Sequence, residues 1–334
     1  MKTKTLVLVF FQLVALRASH GRAATCCLYV PTELNVMTDG NSRSSLPFDY
    51  RTNSDIYQGP VHYQQVYAAS QFTNVAPGGA FLVDIAFQQD CSNRYGGRNT
   101  NIQVRVSTSL KTPDQLSPIF SQNIGSDELL VLSTNLYTFG EDCDACSKRC
   151  PTARGVSDFL IFTTPFFYIP SRGSLLVDIQ HTGFSTTHGP EVLGPMFADT
   201  QNVAADGVSR VAALSLTAST AEFVDTEGAV TYFEFAPVPS LSVELQGTSL
   251  EILWPTQPKP FRLQWAAKLG TSAAWQNYPG SIHETFLERD VQIPLDSASL
   301  KTPKFFRLFW NSPQPGIPGG ATQALGSENS TPSN

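Results

Sequence analysis

The sequence predicts an all-β protein, a jelly-roll-like β-sandwich followed by a small immunoglobulin/fibronectin-like β-sandwich. Three observations predict this. The 334 residues include 23 Gly, 23 Pro and 22 Phe against 3 Met, which is rich in turn and strand formers and poor in helix formers at helical spacing. From about Leu28 to Phe235, short apolar segments with strand-type alternation recur at near-regular intervals between turn residues. All four tryptophans, Trp254, Trp265, Trp275 and Trp310, lie beyond the proline-bearing connector APVPSL (236–241), so the chain changes character there.

The N-terminal residues carry Lys2 and Lys4, an apolar run from Leu6 to Leu16, and small residues around Gly21, Ala23 and Ala24. This pattern predicts a secretory signal over residues 1–23, because the run is far shorter than the ~20 residues that span a bilayer. A lipoprotein signal acylated at Cys26 is the alternative, but the leucine and small residue expected before that cysteine are absent. Removing the signal takes away Lys2, Lys4, Arg17 and Arg22 and no acid, so the net charge moves from −6 to −10. So acidic a chain argues against nucleic acid, which requires a concentrated positive surface. No later segment is long and apolar enough for a transmembrane anchor, so the expected location is secreted, extracellular or at the cell surface.

The first sandwich is expected over residues 24–236. Its strands are read at AFLVDIAFQQ (80–89), NIQVRVSTS (101–109), ELLVLST (128–134), DFLIFTTPFFYI (158–169), GSLLVDIQHT (173–182), VSRVAALSL (208–216) and AVTYFEFAP (229–237). Ile102, Val104 and Val106 fall on one face, with Gln103, Arg105 and Ser107 on the other, as in a half-buried strand. The second sandwich is expected over 237–311, where three sets share a face: Leu250, Ile252 and Trp254; Phe261, Leu263 and Trp265; Phe306, Leu308 and Trp310. The segment 312–334 has too few apolar residues to pack and is expected to be disordered.

Six cysteines are present: Cys26, Cys27, Cys91, Cys143, Cys146 and Cys150, three of them within CDACSKRC (143–150). In an oxidising compartment the default is disulfides that clip loops, with no pairing selected by spacing. A zinc site from Cys91, Cys143, Cys146 and Cys150 lacks a second paired knuckle. A redox role for Cys143 and Cys146 lacks a helix start beneath the pair. No cofactor is expected, with calcium at Glu141, Asp142 and Asp144 as a minor alternative.

The stretches YQQVYAASQF (63–72), VRVSTSLKTPDQLSPIFSQNIGSDELLVLS (104–133), TPFFYIPSRGSLLVDI (164–179) and DGVSRV (206–211) resemble the large β-domain of exported bacterial proteins that often end in a PEP-CTERM sorting signal. The resemblance covers roughly residues 60–235 and implies export and a β-domain, with no catalytic role to carry over. The chain departs from that pattern in having no VPEP-like motif, apolar helix or basic cluster at its end. The segment 241–279 with KFFRLFW (304–310) is similar to a small immunoglobulin-like module that closes many secreted proteins of Verrucomicrobia and Planctomycetes. That similarity implies core roles for the tryptophan of LEILWP, the FRLQ strand, AAWQNY and FFRL.

For catalysis the sequence offers little. His62, His181, His188 and His283 are dispersed and read as surface or edge residues, and there is no HExxH, GxSxG or phosphate loop. The expected function is a secreted, non-catalytic structural or adhesive protein binding extracellular polysaccharide or matrix. The alternatives are a polysaccharide-acting hydrolase or a purely architectural surface protein. Candidate sugar platforms are Trp275 and Tyr278 in AAWQNYPG (273–280), or Tyr63 and Tyr67, each weighed against plain core packing. CSNRYGGRNTN (91–101), rich in Gly, Asn, Arg and Ser, reads as a loop, and with the Cys143–Cys150 loop it is where specificity is expected to lie.

Overall fold

The computed structural model describes residues 26–34, 39–51, 56–88, 97–139, 159–185, 187–188, 191–192, 197–258, 261–268, 273–285, 287–295, 304–316 and 325–326. The expected signal, Cys91, Cys143, Cys146, Cys150 and the calcium candidates Glu141, Asp142 and Asp144 lie outside the described residues.

Among the described residues nine principal strands build the first unit. They are β1 (Cys26–Val30), β2 (Val61–Tyr67), β3 (Ala80–Phe87), β4 (Gly97–Ser109), β5 (Leu129–Phe139), β6 (Phe159–Tyr168), β7 (Ser174–His181), β8 (Val208–Ala213) and β9 (Thr231–Ala236). One sheet has the order β1–β9–β3–β6 and the other β5–β4–β7–β2–β8, with every neighbouring pair antiparallel. With β8 set aside as an added strand, the remaining eight run 1-8-3-6 and 2-7-4-5 in their own order. That is the strand order of a jelly roll, two Greek keys folded face to face.

Alternation decides which side chains fill the space between the sheets. On β4, Ile102, Val104 and Val106 are buried while Gln103 and Arg105 look outward, as the period of two requires. A bulge on β3 between Leu82 and Asp84 resets the alternation. Leu82 and Ile85 therefore both reach the core, while Asp84 stands opposite Glu234 on the outer face. β2 is buried along its whole length, because Phe120 and Leu116 of the β4–β5 connection cover its outer face. That covering explains how VHYQQVY, with one histidine and two glutamines in seven residues, sits at the centre of a sheet.

The second unit is two further antiparallel sheets. β10 (Ser242–Gln246), β11 (Ser249–Pro255), β15 (Glu288–Pro294) and β14 (His283–Glu284) form one; β13 (Gln276–Asn277), β12 (Phe261–Ala266), β16 (Phe305–Trp310) and β17 (Leu325–Gly326) form the other. Ile252, Trp254, Phe261, Leu263, Phe306, Leu308 and Trp310 are buried between them, so the shared faces read from the sequence are the core, with Leu250 and Trp265 at its partly buried edge. This core continues into the jelly roll. The Phe81 ring lies 4.8 Å from Trp310 and 5.6 Å from Phe261, and Phe167 lies 5.8 Å from Trp310. A sandwich this small gains much of its buried area by sharing a core with its neighbour.

Three sequence expectations require correction. Residues 97–101, expected in a loop, are the start of β4. Tertiary pairing on both edges of that segment, with Phe139 to Leu136 on one side and Ser185 to Gly183 on the other, overrides its turn-forming composition. The segment from Ser312 is not wholly without structure. Gln314 is 3% exposed, accepts from the Phe167 N–H at 2.8 Å, and donates to the Phe167 carbonyl at 3.1 Å and to Asp127 at 3.3 Å; Leu325 and Gly326 pair with Phe306 and Phe305. His62 and His181 are buried rather than on the surface: His62, on the outer face of β2, is covered by Phe120, and His181 falls on the same inner face of β7 as the core residues Val177 and Ile179.

Candidate functional site

The second sandwich holds an aromatic cavity of about 290 Å³, lined by Trp265, Tyr278, Pro279, Gly280, Lys304 and Phe306. Its construction follows from strand register. Trp265 on β12 lies directly opposite Phe306 on β16, both pointing into the sandwich. The Tyr278 N–H donates to the Leu263 carbonyl at 2.9 Å, and its ring meets Phe306 edge-on at 6.2 Å. Gly280 leaves room for this ring, since a Cβ there would lie 2.5 Å from Tyr278 Cε1 and displace it. Lys304 stands immediately before β16, and no carboxylate among the described residues pairs with it. An aromatic ring presents a flat apolar face, and Tyr and Trp add a polar edge, the combination that meets both the C–H face and the hydroxyl rim of a sugar ring.

Trp275 does not join Tyr278 in one platform. Arg307 lies 4.2 Å from the Trp275 ring and 5.2 Å from Phe309, and Arg307 is on the outer face of β16, opposite to Phe306. The two aromatics expected together are thus on opposite faces of one sheet, and Tyr278 finds its partners in Trp265 and Phe306 instead. Arg307 is held in place by donating from Nε and Nη2 to Gln264 Oε1 at 3.0 and 2.8 Å.

Tyr63 and Tyr67 are both 0% exposed, which corrects their candidacy as a sugar platform. They share the inner face of β2 with Gln65. The Tyr63 hydroxyl donates to Gln65 Oε1, Gln65 Nε2 donates to the Ala229 carbonyl at 2.8 Å, and the Tyr67 hydroxyl meets Thr231 Oγ1 at 2.7 Å. Burial pushes both phenols above their ordinary range, so they are neutral structural groups.

Two polar clusters lie on the outer faces of the jelly roll. On one, His62 stacks on Phe120 at 3.8 Å, and Asp178 accepts from Gln64 at 2.6 Å and from Gln180 at 3.1 Å while lying 3.1 Å from His62 Nε2. These side chains bond to one another, which suits a covered sheet face. On the other, Asp84 and Glu234 are directly opposed across β3 and β9, with Cys27 opposite Glu234 on β1 and exposed. Burial first, then the neighbouring Glu234 charge and a hydrogen bond with it, raise Asp84 to about 7. Glycoside hydrolysis requires two carboxyl groups about 5 Å or more apart around the scissile bond, and a hydrogen-bonded pair leaves no room for it. Cys26 lies on β1 in register with Phe235. Among the described residues no group of three His, Cys, Asp or Glu is placed to hold a metal ion, and no helix is long and apolar enough to cross a membrane.

No family model matches the chain, and no curated protein matches it. Among solved structures it is similar to a β-D-glucuronidase of Dictyoglomus thermophilum at 9% identity and a TM-score of 0.18, with 86% of this chain and 44% of that one covered. The chain thus spans less than half of that protein's length, and a likeness of this size bears on neither fold nor activity.

Proposed function

We propose that the chain is an exported, non-catalytic structural or adhesive protein that holds extracellular polysaccharide or matrix through the second sandwich. The observation that carries this reading is the cavity in which Trp265, Tyr278 and Phe306 surround a space of about 290 Å³, close to the lower end of ligand-sized pockets at roughly 300 Å³. Aromatic walls without a nearby carboxylate pair fit holding a sugar better than cleaving one. The jelly roll serves as the body to which this module is fixed, by Phe81, Phe167 and Gln314.

The test is retention and product release on a panel of insoluble and soluble polysaccharides, using the purified chain from Ala24. Retention without release of reducing sugar supports the reading, and its loss in Tyr278→Ala with folding intact places the contact. The second reading is a hydrolase acting on the same material. Release of reducing sugar by the purified chain would establish it in place of the first.

A further inference from the structure

We infer that the ligand of this cavity is an acidic polysaccharide, one whose rings bear carboxylate or sulfate groups. This rests on reading the cavity as a sugar site. Charge is distributed unevenly along the chain. Residues 24–236 carry 11 basic and 21 acidic residues, whereas residues 237–311 carry seven basic and six acidic. Within the second sandwich the separation is sharper. The strand acids Glu244, Glu251, Glu284, Glu288 and Asp290 are all on the sheet of β10, β11, β14 and β15. The strands of the sheet that builds the cavity carry Arg262 and Arg307 and no acid, and Lys268 and Lys304 flank them.

Lys304 is the member of this set that lines the cavity, while Arg262 is exposed on the opposite, outer face of β12, in register with Phe309. Neither has a carboxylate partner among the described residues. At physiological ionic strength charges act over about 8 Å, and Lys304 is the one charged side chain in the cavity lining, so it is the charge that a docked chain meets at contact distance. A neutral glycan would leave Lys304 without a partner beside it. A ring stacked on Tyr278 and Trp265 with an anionic substituent directed at Lys304 uses both the aromatic wall and the one charged side chain of the cavity lining.

The experiment compares the purified full chain with Lys304→Gln and Tyr278→Ala by affinity electrophoresis through gels containing polygalacturonate, a sulfated galactan or neutral galactan, with a single-stranded oligonucleotide in a parallel assay. Thermal unfolding of each variant checks its fold. The expected result is retardation by one or both anionic polymers, weakened as salt is raised from 50 to 500 mM. Lys304→Gln should weaken binding up to roughly fivefold, as loss of one solvent-accessible ion pair does, and Tyr278→Ala should weaken it at least as much. Which anionic polymer is retarded distinguishes carboxylate from sulfate. Equal retardation by neutral galactan, with Lys304→Gln unchanged and Tyr278→Ala weakened, would overturn the acidic assignment while leaving the sugar site standing. Retardation by no polysaccharide, or retardation indifferent to Tyr278→Ala, would remove both. Preferential binding of the oligonucleotide would also overturn the proposal, since the basic sheet would then be reading phosphate.

Discussion

Acidification from pH 7 to pH 4 is expected to cost the fold about 3 kcal/mol through His181 alone. This side chain on β7 is 0% exposed, and its Nε2 lies 3.1 Å from the Pro47 carbonyl, to which the neutral ring donates. Burial lowers its pKa from 6.5 to about 4, against smaller opposing contributions from the backbone carbonyls around it. Because the folded-state value is depressed, the unfolded chain takes up a proton before the folded one does. The stability is therefore fully present above pH 6.5 and is lost as the pH falls towards 4. Integrating between these two values gives a loss of about 2 kcal/mol by pH 5 and about 3 kcal/mol by pH 4. The assay is urea unfolding followed by far-ultraviolet circular dichroism at pH 7, 5 and 4, for the natural chain and His181→Gln. The carboxylates titrate alike in both proteins and cancel in the difference. The stability gap between the two should therefore shrink by about 3 kcal/mol over this range. A gap independent of pH would refute the argument, since it would mean that the folded protein admits the charged ring without penalty.

Three other perturbations follow from the same geometry. Gln314→Ala strands the N–H and carbonyl of Phe167 beside Asp127 and should cost about 1–3 kcal/mol, read from the urea midpoint; Gln314→Glu should cost more, by facing a second carboxylate towards Asp127. Tyr67→Phe leaves Thr231 without its 2.7 Å partner in the core and should cost about 1–2 kcal/mol while leaving polysaccharide retention unchanged. Asp84 has its folded-state value raised to about 7, so its contribution to stability is full below the ordinary carboxylate range and lost as the pH rises through 7. Asp84→Asn should accordingly raise the thermal midpoint more at pH 8 than at pH 5, and an equal effect at both would contradict the shift.

Strand positions were legible wherever one face of the strand met solvent. Ile102, Val104 and Val106 alternate with Gln103 and Arg105, and Phe306, Leu308 and Trp310 alternate with Arg307 and Phe309, so period and burial agree. β2 did not stand out as a strand, since its outer-face His62 and Gln64 are buried only because a distant connection brings Phe120 over them. The same limit hid the roles of Tyr63 and Tyr67: a tyrosine on a strand is core or surface according to which sheet lies above it, and local sequence does not carry that information. The spacing of Trp275 and Tyr278 placed both near the site. Their separation by three positions around the two-residue strand Gln276–Asn277 sends them to opposite faces, a parity that is readable only once that strand is known. Lys304 carried a signal that sequence reading passed over, a basic residue set directly before the aromatic run of β16.

The central claim is that Tyr278 and its neighbours hold a sugar. The measurement that tests it most directly is retention of the purified chain on polysaccharide, natural sequence against Tyr278→Ala and Trp275→Ala, with the fold of each verified by thermal unfolding. The account predicts that Tyr278→Ala abolishes retention while Trp275→Ala, which alters only the opposite face over Arg307, weakens it far less. Retention that survives Tyr278→Ala in a folded protein would contradict the account.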